Sequence, residues 1–204
     1  MQIIKWINVL CILGAVMLNQ AEAQSSNERF KPEAKRSLRF MFYNVENVFD
    51  TIDNPNANDE EFLPGGMRNW NAYRYYEKRN KIYKTIIAAG GWHPPELIGV
   101  CEIENESVIQ QILWNTPFSK FNYKYIHQNS PDHRGIDVAL LYDPAAFFPV
   151  SKQFIPLNLP ESYNSTREIL YVKGHNKNQD TLHIFINHWP SKWGGAIKSQ
   201  PKRN

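Results

Sequence analysis

Leu38-Arg39-Phe40-Met41-Phe42-Tyr43-Asn44 sets apolar or aromatic side chains on both faces of an extended run and closes it with an amide. That is the composition of a strand buried within a sheet. A second such run, Leu97 to Glu102, follows the breaker Pro94-Pro95 and ends on a carboxylate. Between the two, Tyr73, Tyr76, Ile82, Tyr83, Ile86 and Ile87 keep to one face of a helix predicted over residues 71–89, which Gly90-Gly91 ends. Residues 106–114 read as a second helix with Val108, Ile109, Ile112 and Leu113 inward. Further strands are expected at residues 123–128, 136–142, 169–173 and 182–188. Strand-helix-strand-helix followed by strand after strand predicts an α/β sandwich with a mixed or antiparallel sheet rather than a doubly wound one.

The 204 residues, 42% hydrophobic and 21% charged, are enough for one domain with its own core. A net charge of +3 excludes a protein built to coat nucleic acid, while permitting an anionic substrate. Residues 1–23 have the form of an export signal: Lys5, an apolar run from Ile7 to Leu18, then Ala21-Glu22-Ala23 as the cleavage site. The run is about twelve residues long against the roughly 20 needed to span a bilayer, so no stable membrane anchor is expected and the destination is secreted or periplasmic. Cleavage after Ala23 leaves Cys101 as the only cysteine, which excludes an intramolecular disulfide. Residues 24–37 are polar and read as a flexible lead-in, with the domain over residues 38–204. The acidic, Asn-rich stretch 50–61 lacks the spacing of a calcium loop and is expected to be solvated.

No Gly-x-Ser-x-Gly elbow, His-Glu-x-x-His, Cys-x-x-Cys or glycine-rich phosphate loop occurs, so serine-hydrolase, zinc-protease and nucleotide-cofactor readings are weak. What remains is positional. Asn44, Glu102 and Asn187-His188 each close an apolar strand, and strands sharing a direction bring such ends to one rim. Asp137 opens its strand and reaches the same rim only if that strand runs antiparallel to its neighbours. Each residue also has an ordinary role as a surface carboxylate, a cap, or an Asp137–Arg134 ion pair.

The segments Tyr43-Asn44-Val45-Glu46-Asn47-Val48-Phe49-Asp50, Ile98-Gly99-Val100-Cys101-Glu102-Ile103-Glu104-Asn105, Arg134-Gly135-Ile136-Asp137-Val138-Ala139-Leu140-Leu141-Tyr142 and Ile186-Asn187-His188-Trp189-Pro190-Ser191-Lys192 together resemble successive blocks of the endonuclease/exonuclease/phosphatase superfamily, deoxyribonuclease-I-like in fold. The resemblance implies a two-sheet sandwich flanked by helices, in four α-β-β-α layers. It also implies metal-dependent hydrolysis of phosphodiesters, with nucleic acid as the expected substrate, lipid phosphoesters as an alternative within the class, and a monomeric enzyme. It points to Glu102 as ligand of Mg²⁺ or Mn²⁺, to Asn44 as orienting metal or phosphate, and to His188 paired with Asp137 as general acid or phosphate clamp. Hard cations held by carboxylate oxygens stabilise charge building on a phosphoryl group, and imidazole moves protons near neutrality. Arg134, Asn187 and Lys192 are candidate phosphate donors. In the family a Gly-Asp-x-Asn strand end and an Asp-His pair follow. The sixteen residues from Trp189 to Asn204 hold no Asp or Glu, so the resemblance implies an amino-terminal portion of a longer protein. The reading from another class is a catalytically inactive relative that binds polyanions or a partner protein.

Overall fold

The computed structural model describes residues 37–157 and 165–190. The expected export signal, the expected lead-in up to residue 36 and Lys192 lie outside the described residues. The chain divides between Ser37 and Leu38, and the architecture below belongs to the second unit.

Two sheets form the framework. The first holds β1 (Phe40–Val48), β2 (Leu97–Ile103), β3 (Lys124–His127) and β4 (Asp137–Tyr142) in the order β1-β2-β4-β3. β1 and β2 are parallel, joined through the helix α1 (Ala72–Ala89), whereas β4 runs antiparallel to both β2 and β3. The second sheet is antiparallel, β5 (Phe147–Ile155), β6 (Ile169–Asn176) and β7 (Thr181–Ile186) in sequence order. This is the expected α/β sandwich with one mixed sheet. Reversal of β4 brings Asp137 level with Ile103, at the same end as the finishing residues of β1 and β2.

Alternation along the strands builds two cores. Leu97, Cys101, Val138 and Leu140 of the first sheet meet Phe147, Leu170, Val172, Ile184 and Ile186 of the second. Gly99 is required at this contact, because a Cβ there would stand 2.5 Å from Ile186 Cδ1. On the opposite face of the first sheet, Ile98, Val100, Ile103, Ala139 and Leu141 pack under α1 and under α2 (Glu106–Trp114). Asn71 and Asn105 cap these helices by accepting the backbone N–H of Arg74 at 3.1 Å and of Val108 at 3.0 Å. Such caps contribute about 1 kcal/mol each. Among the described residues the helices cover the first sheet only, and Phe148, Val150 and Phe185 on the outer side of the second are exposed.

Three sequence expectations are corrected. The inward face of α1 carries Tyr75, Ile82 and Ile86, while Tyr73 and Tyr76 are 73% and 48% exposed. Counting back seven residues from Ile82 reaches Tyr75, so the buried stripe is set by the isoleucines and the neighbouring tyrosines point outward. β5 was not expected, because Pro149 and the polar Ser151-Lys152-Gln153 resemble a loop. It is an edge strand, where proline costs no ladder bond, with a register shift between Pro149 and Ser151. The acidic stretch is not wholly solvated either: Asp59 is buried, and Phe62, in a single 3-10 turn at Glu60–Phe62, stacks on Phe49 at 4.1 Å between centroids.

Candidate functional site

Parallel pairing of β1 with β2 sets Asn44 opposite Cys101, so Asn44 and Glu102 come to one rim as the sequence pattern predicted. The strands then bulge at the same level. Cys101 pairs with Val138 and Ile103 with Asp137, which leaves Glu102 as an extra residue, with φ 67°. On β1 the residues between Asn44 and Val48 oppose that single glutamate, and two of them, Glu46 and Asn47, are also left-handed at φ 58° and 57°. Non-glycine residues in this region cost of order 1–3 kcal/mol each and persist where the surroundings hold them. A bulge also breaks strict alternation and re-aims its side chain. The Glu102 carboxylate therefore turns to the rim, while the alternating residues of β2 remain in the core.

That carboxylate is well held. Its Oε1 accepts from Asn44 Nδ2 at 3.0 Å and stands 3.3 Å from His188 Nε2. Asn44 is oriented in turn, because its Oδ1 accepts the N–H of Glu46 at 2.7 Å. The His188 contact, with help from Asn44 and against the opposing effect of burial, brings the Glu102 carboxyl down to about 2. The imidazole faces that carboxylate with Nε2, and its Nδ1 is enclosed without a hydrogen-bond partner among the described residues. His188 lies two residues beyond β7, which belongs to the other sheet, so the contact with Glu102 joins the two sheets at their shared rim.

Asp137 takes no part in that contact, which corrects the expected Asp137–His188 pair. Its Oδ2 meets His127 Nε2 at 2.8 Å and its Oδ1 accepts the N–H of Ser130 at 2.9 Å, with both side chains of the pair almost fully buried. β4 has β2 on one side and β3 on the other, and His127 closes β3; Asp137 pins the β3–β4 connection. Arg134, 43% exposed, leans on Asp132 at 3.4 Å and not on Asp137. Asn187 is half-buried beside His188 and makes no side-chain hydrogen bond among the described residues.

Several residues at the rim were not singled out from the sequence. Lys78 reaches from α1 to the carbonyl of Glu46 and lies 5.9 Å from the centre of the Trp70 ring. Burial lowers its pKa, while Glu46 and Glu102 pull the other way. Glu104, two residues beyond Glu102, accepts the N–H of Asp50 at 2.6 Å; burial, reinforced by repulsion from Asp50 and Asp59, pushes its carboxyl up to about 8. Arg167 forms a buried ion pair with Asp132 at 2.8 Å. Long-range partners of this kind leave no local pattern, although the paired acids in Glu102-Ile103-Glu104 were a visible sign that two carboxylates enter one end of the sheet.

Among the described residues no group of three or more His, Cys, Asp and Glu side chains converges as a ready metal site. The donor chemistry still fits Mg²⁺. This ion keeps several waters and takes one or two protein carboxylates, with substrate phosphate completing its shell, and Glu102 is a hard oxygen donor held ionised.

The model of the Endonuclease/Exonuclease/phosphatase family matches residues 39–204. A D. rerio TDP2 humanized by 14 mutations shares the fold at TM-score 0.50 and 12% identity, covering 80% of this chain and 51% of that one. The human Nocturnin catalytic domain with bound sulfate gives TM-score 0.44 and 17% identity over 58% of this chain and 44% of its own. An endonuclease/exonuclease/phosphatase from Bacteroides vulgatus gives 0.44 and 15%, covering 74% and 52%. The chain thus spans about half the length of these structures. No curated protein matches the sequence.

Proposed function

Because the chain belongs to the endonuclease/exonuclease/phosphatase family, we propose that it is an exported, divalent-metal-dependent hydrolase of phosphodiester bonds, acting on nucleic acid in the manner of an endonuclease. The observation that carries this reading is the Glu102 carboxylate, turned out by a strained bulge and held by Asn44 and His188 at the common end of both sheets.

Glu102 would hold Mg²⁺ or Mn²⁺, which supplies charge neutralisation for the phosphoryl oxygens when bound. Asn44 keeps that carboxylate in one orientation through its paired bonds to Glu46 and Glu102. His188, whose imidazole is able to move a proton, presents Nε2 to Glu102 at the rim and serves as general acid or as donor to a phosphate oxygen. The exposed Arg134 guanidinium and the Asn187 amide are phosphate donors from the flanking loops, and Lys192 extends that set. Asp137 is a structural group beside them. Export rests on the signal-like residues 1–23.

The test is hydrolysis of bis(p-nitrophenyl) phosphate and of single-stranded DNA by the full-length protein with Mg²⁺. Glu102→Gln and His188→Ala are each expected to lower turnover by at least about 100-fold with circular dichroism unchanged. Full activity in either variant refutes the assignment, and absence of hydrolysis in the parent favours a binding protein.

A further inference from the structure

β7 ends at Ile186, whose pairing with Leu170 is the last rung of the ladder. His188 is two residues further on and receives no backbone support from the sheet. Among the described residues its imidazole has one polar contact, at 3.3 Å, to Glu102, and its Nδ1 has no hydrogen-bond partner. A side chain held at one atom is placed by its backbone, so the anchoring of residues 188–189 decides where the ring stands.

Arg167, on the segment entering β6, supplies that anchor. Its guanidinium donates from Nε to the carbonyl of His188 at 2.6 Å and from Nη2 to the carbonyl of Trp189 at 3.1 Å. Its Nη1 donates to Asp132 Oδ2 at 2.8 Å. Both side chains of the ion pair are buried, at 4% and 1% exposure. Asp132 is itself fixed, with Oδ1 accepting the N–H of Arg134 at 2.9 Å, on the loop that leads into β4. The planar fork thus ties two consecutive carbonyls of the second sheet's exit to a carboxylate beside the first sheet. An ammonium, a compact charge without that fork, has no fixed geometry for meeting all three acceptors.

We propose that Arg167, seated on Asp132, is a positioning residue that sets the place of His188 against Glu102. The inference deepens the hydrolase reading above and rests on it. Displacement of a reacting group by about 1 Å costs on the order of 100-fold in rate, so small shifts of this clamp reach the chemistry.

The experiment is a double-mutant cycle in the full-length protein, following Mg²⁺-dependent hydrolysis of bis(p-nitrophenyl) phosphate for the parent, Arg167→Lys, His188→Ala and the double variant. Arg167→Lys is expected to lower kcat by about 10- to 100-fold while KM changes less than about threefold. In the His188→Ala background the same change is expected to cost less than about twofold, because the ring it places is gone. A purely structural arginine would instead cost the same factor in both backgrounds. Asp132→Asn, which keeps an acceptor of the same shape, is run through the same cycle and decides the matter if Arg167→Lys does not fold. Equal losses in both backgrounds, or full kcat in Arg167→Lys, overturn the inference and leave the hydrolase reading standing. Parent-level activity in His188→Ala overturns the reading and the inference with it.

Discussion

Replacement of Glu104 by glutamine isolates a cost that the fold carries at neutral pH. Glu104 is 4% exposed, accepts the Asp50 N–H at 2.6 Å, and shares its surroundings with the carboxylates of Asp50 and Asp59. Burial is the leading reason its carboxyl moves from the ordinary 4.5 to about 8. Below pH 4.5 folded and unfolded chains both keep the proton, and stability is complete with respect to this group. As pH rises toward 8 only the unfolded chain releases it, so folding must retain a proton that the unfolded state has given up, and stability falls. With about 1.4 kcal/mol for each tenfold change in protonation, the fall across that window is of order 5 kcal/mol, levelling off above pH 8. Glu104→Gln keeps an acceptor for Asp50 and has no proton to lose. The assay is urea unfolding of both proteins at intervals from pH 4.5 to 9. The gap between them should open steadily in favour of the variant up to about pH 8. Parallel pH profiles would refute the argument and show that the buried carboxyl finds stabilisation other than its proton.

Two further perturbations follow from packing and pairing. Asp137→Ala strips a buried histidine of its acceptor and leaves the Ser130 N–H unpaired; breaking a buried pair from one side costs about 3–5 kcal/mol, measurable as a drop in the urea midpoint. Gly174→Ala sets a Cβ 2.4 Å from Phe147 Cζ and 2.6 Å from the carbonyl oxygen of Phe148. Over-packing of this kind lowers stability by about 1–3 kcal/mol, read as a lower Tm.

What the sequence disclosed depended on the range of the interaction. α2 is found at residues 106–114 as expected, because its four apolar residues at helical spacing and its Asn105 cap are all local. The meeting of Asn44, Glu102 and Asp137 at one end followed from counting strand ends, given an antiparallel β4. The partner of Asp137 did not follow, since only strand order places His127 beside it, and strand order is a property of the whole sheet. The bulges at Glu46, Asn47 and Glu102 were equally hidden: no glycine announces these left-handed positions, which the surrounding hydrogen bonds enforce on ordinary side chains. Arg167 illustrates the same limit, for its three acceptors lie 21 to 35 residues away along the chain.

The most direct test of the account is restoration of activity by a cation. Protein stripped with EDTA is titrated with Mg²⁺ while cleavage of single-stranded DNA is followed, in the parent and in Glu102→Gln. The account predicts that the parent recovers turnover saturably and that the variant needs at least about tenfold more Mg²⁺ or recovers none. Cleavage by the stripped parent at its full rate, or identical titrations for the two proteins, would contradict it.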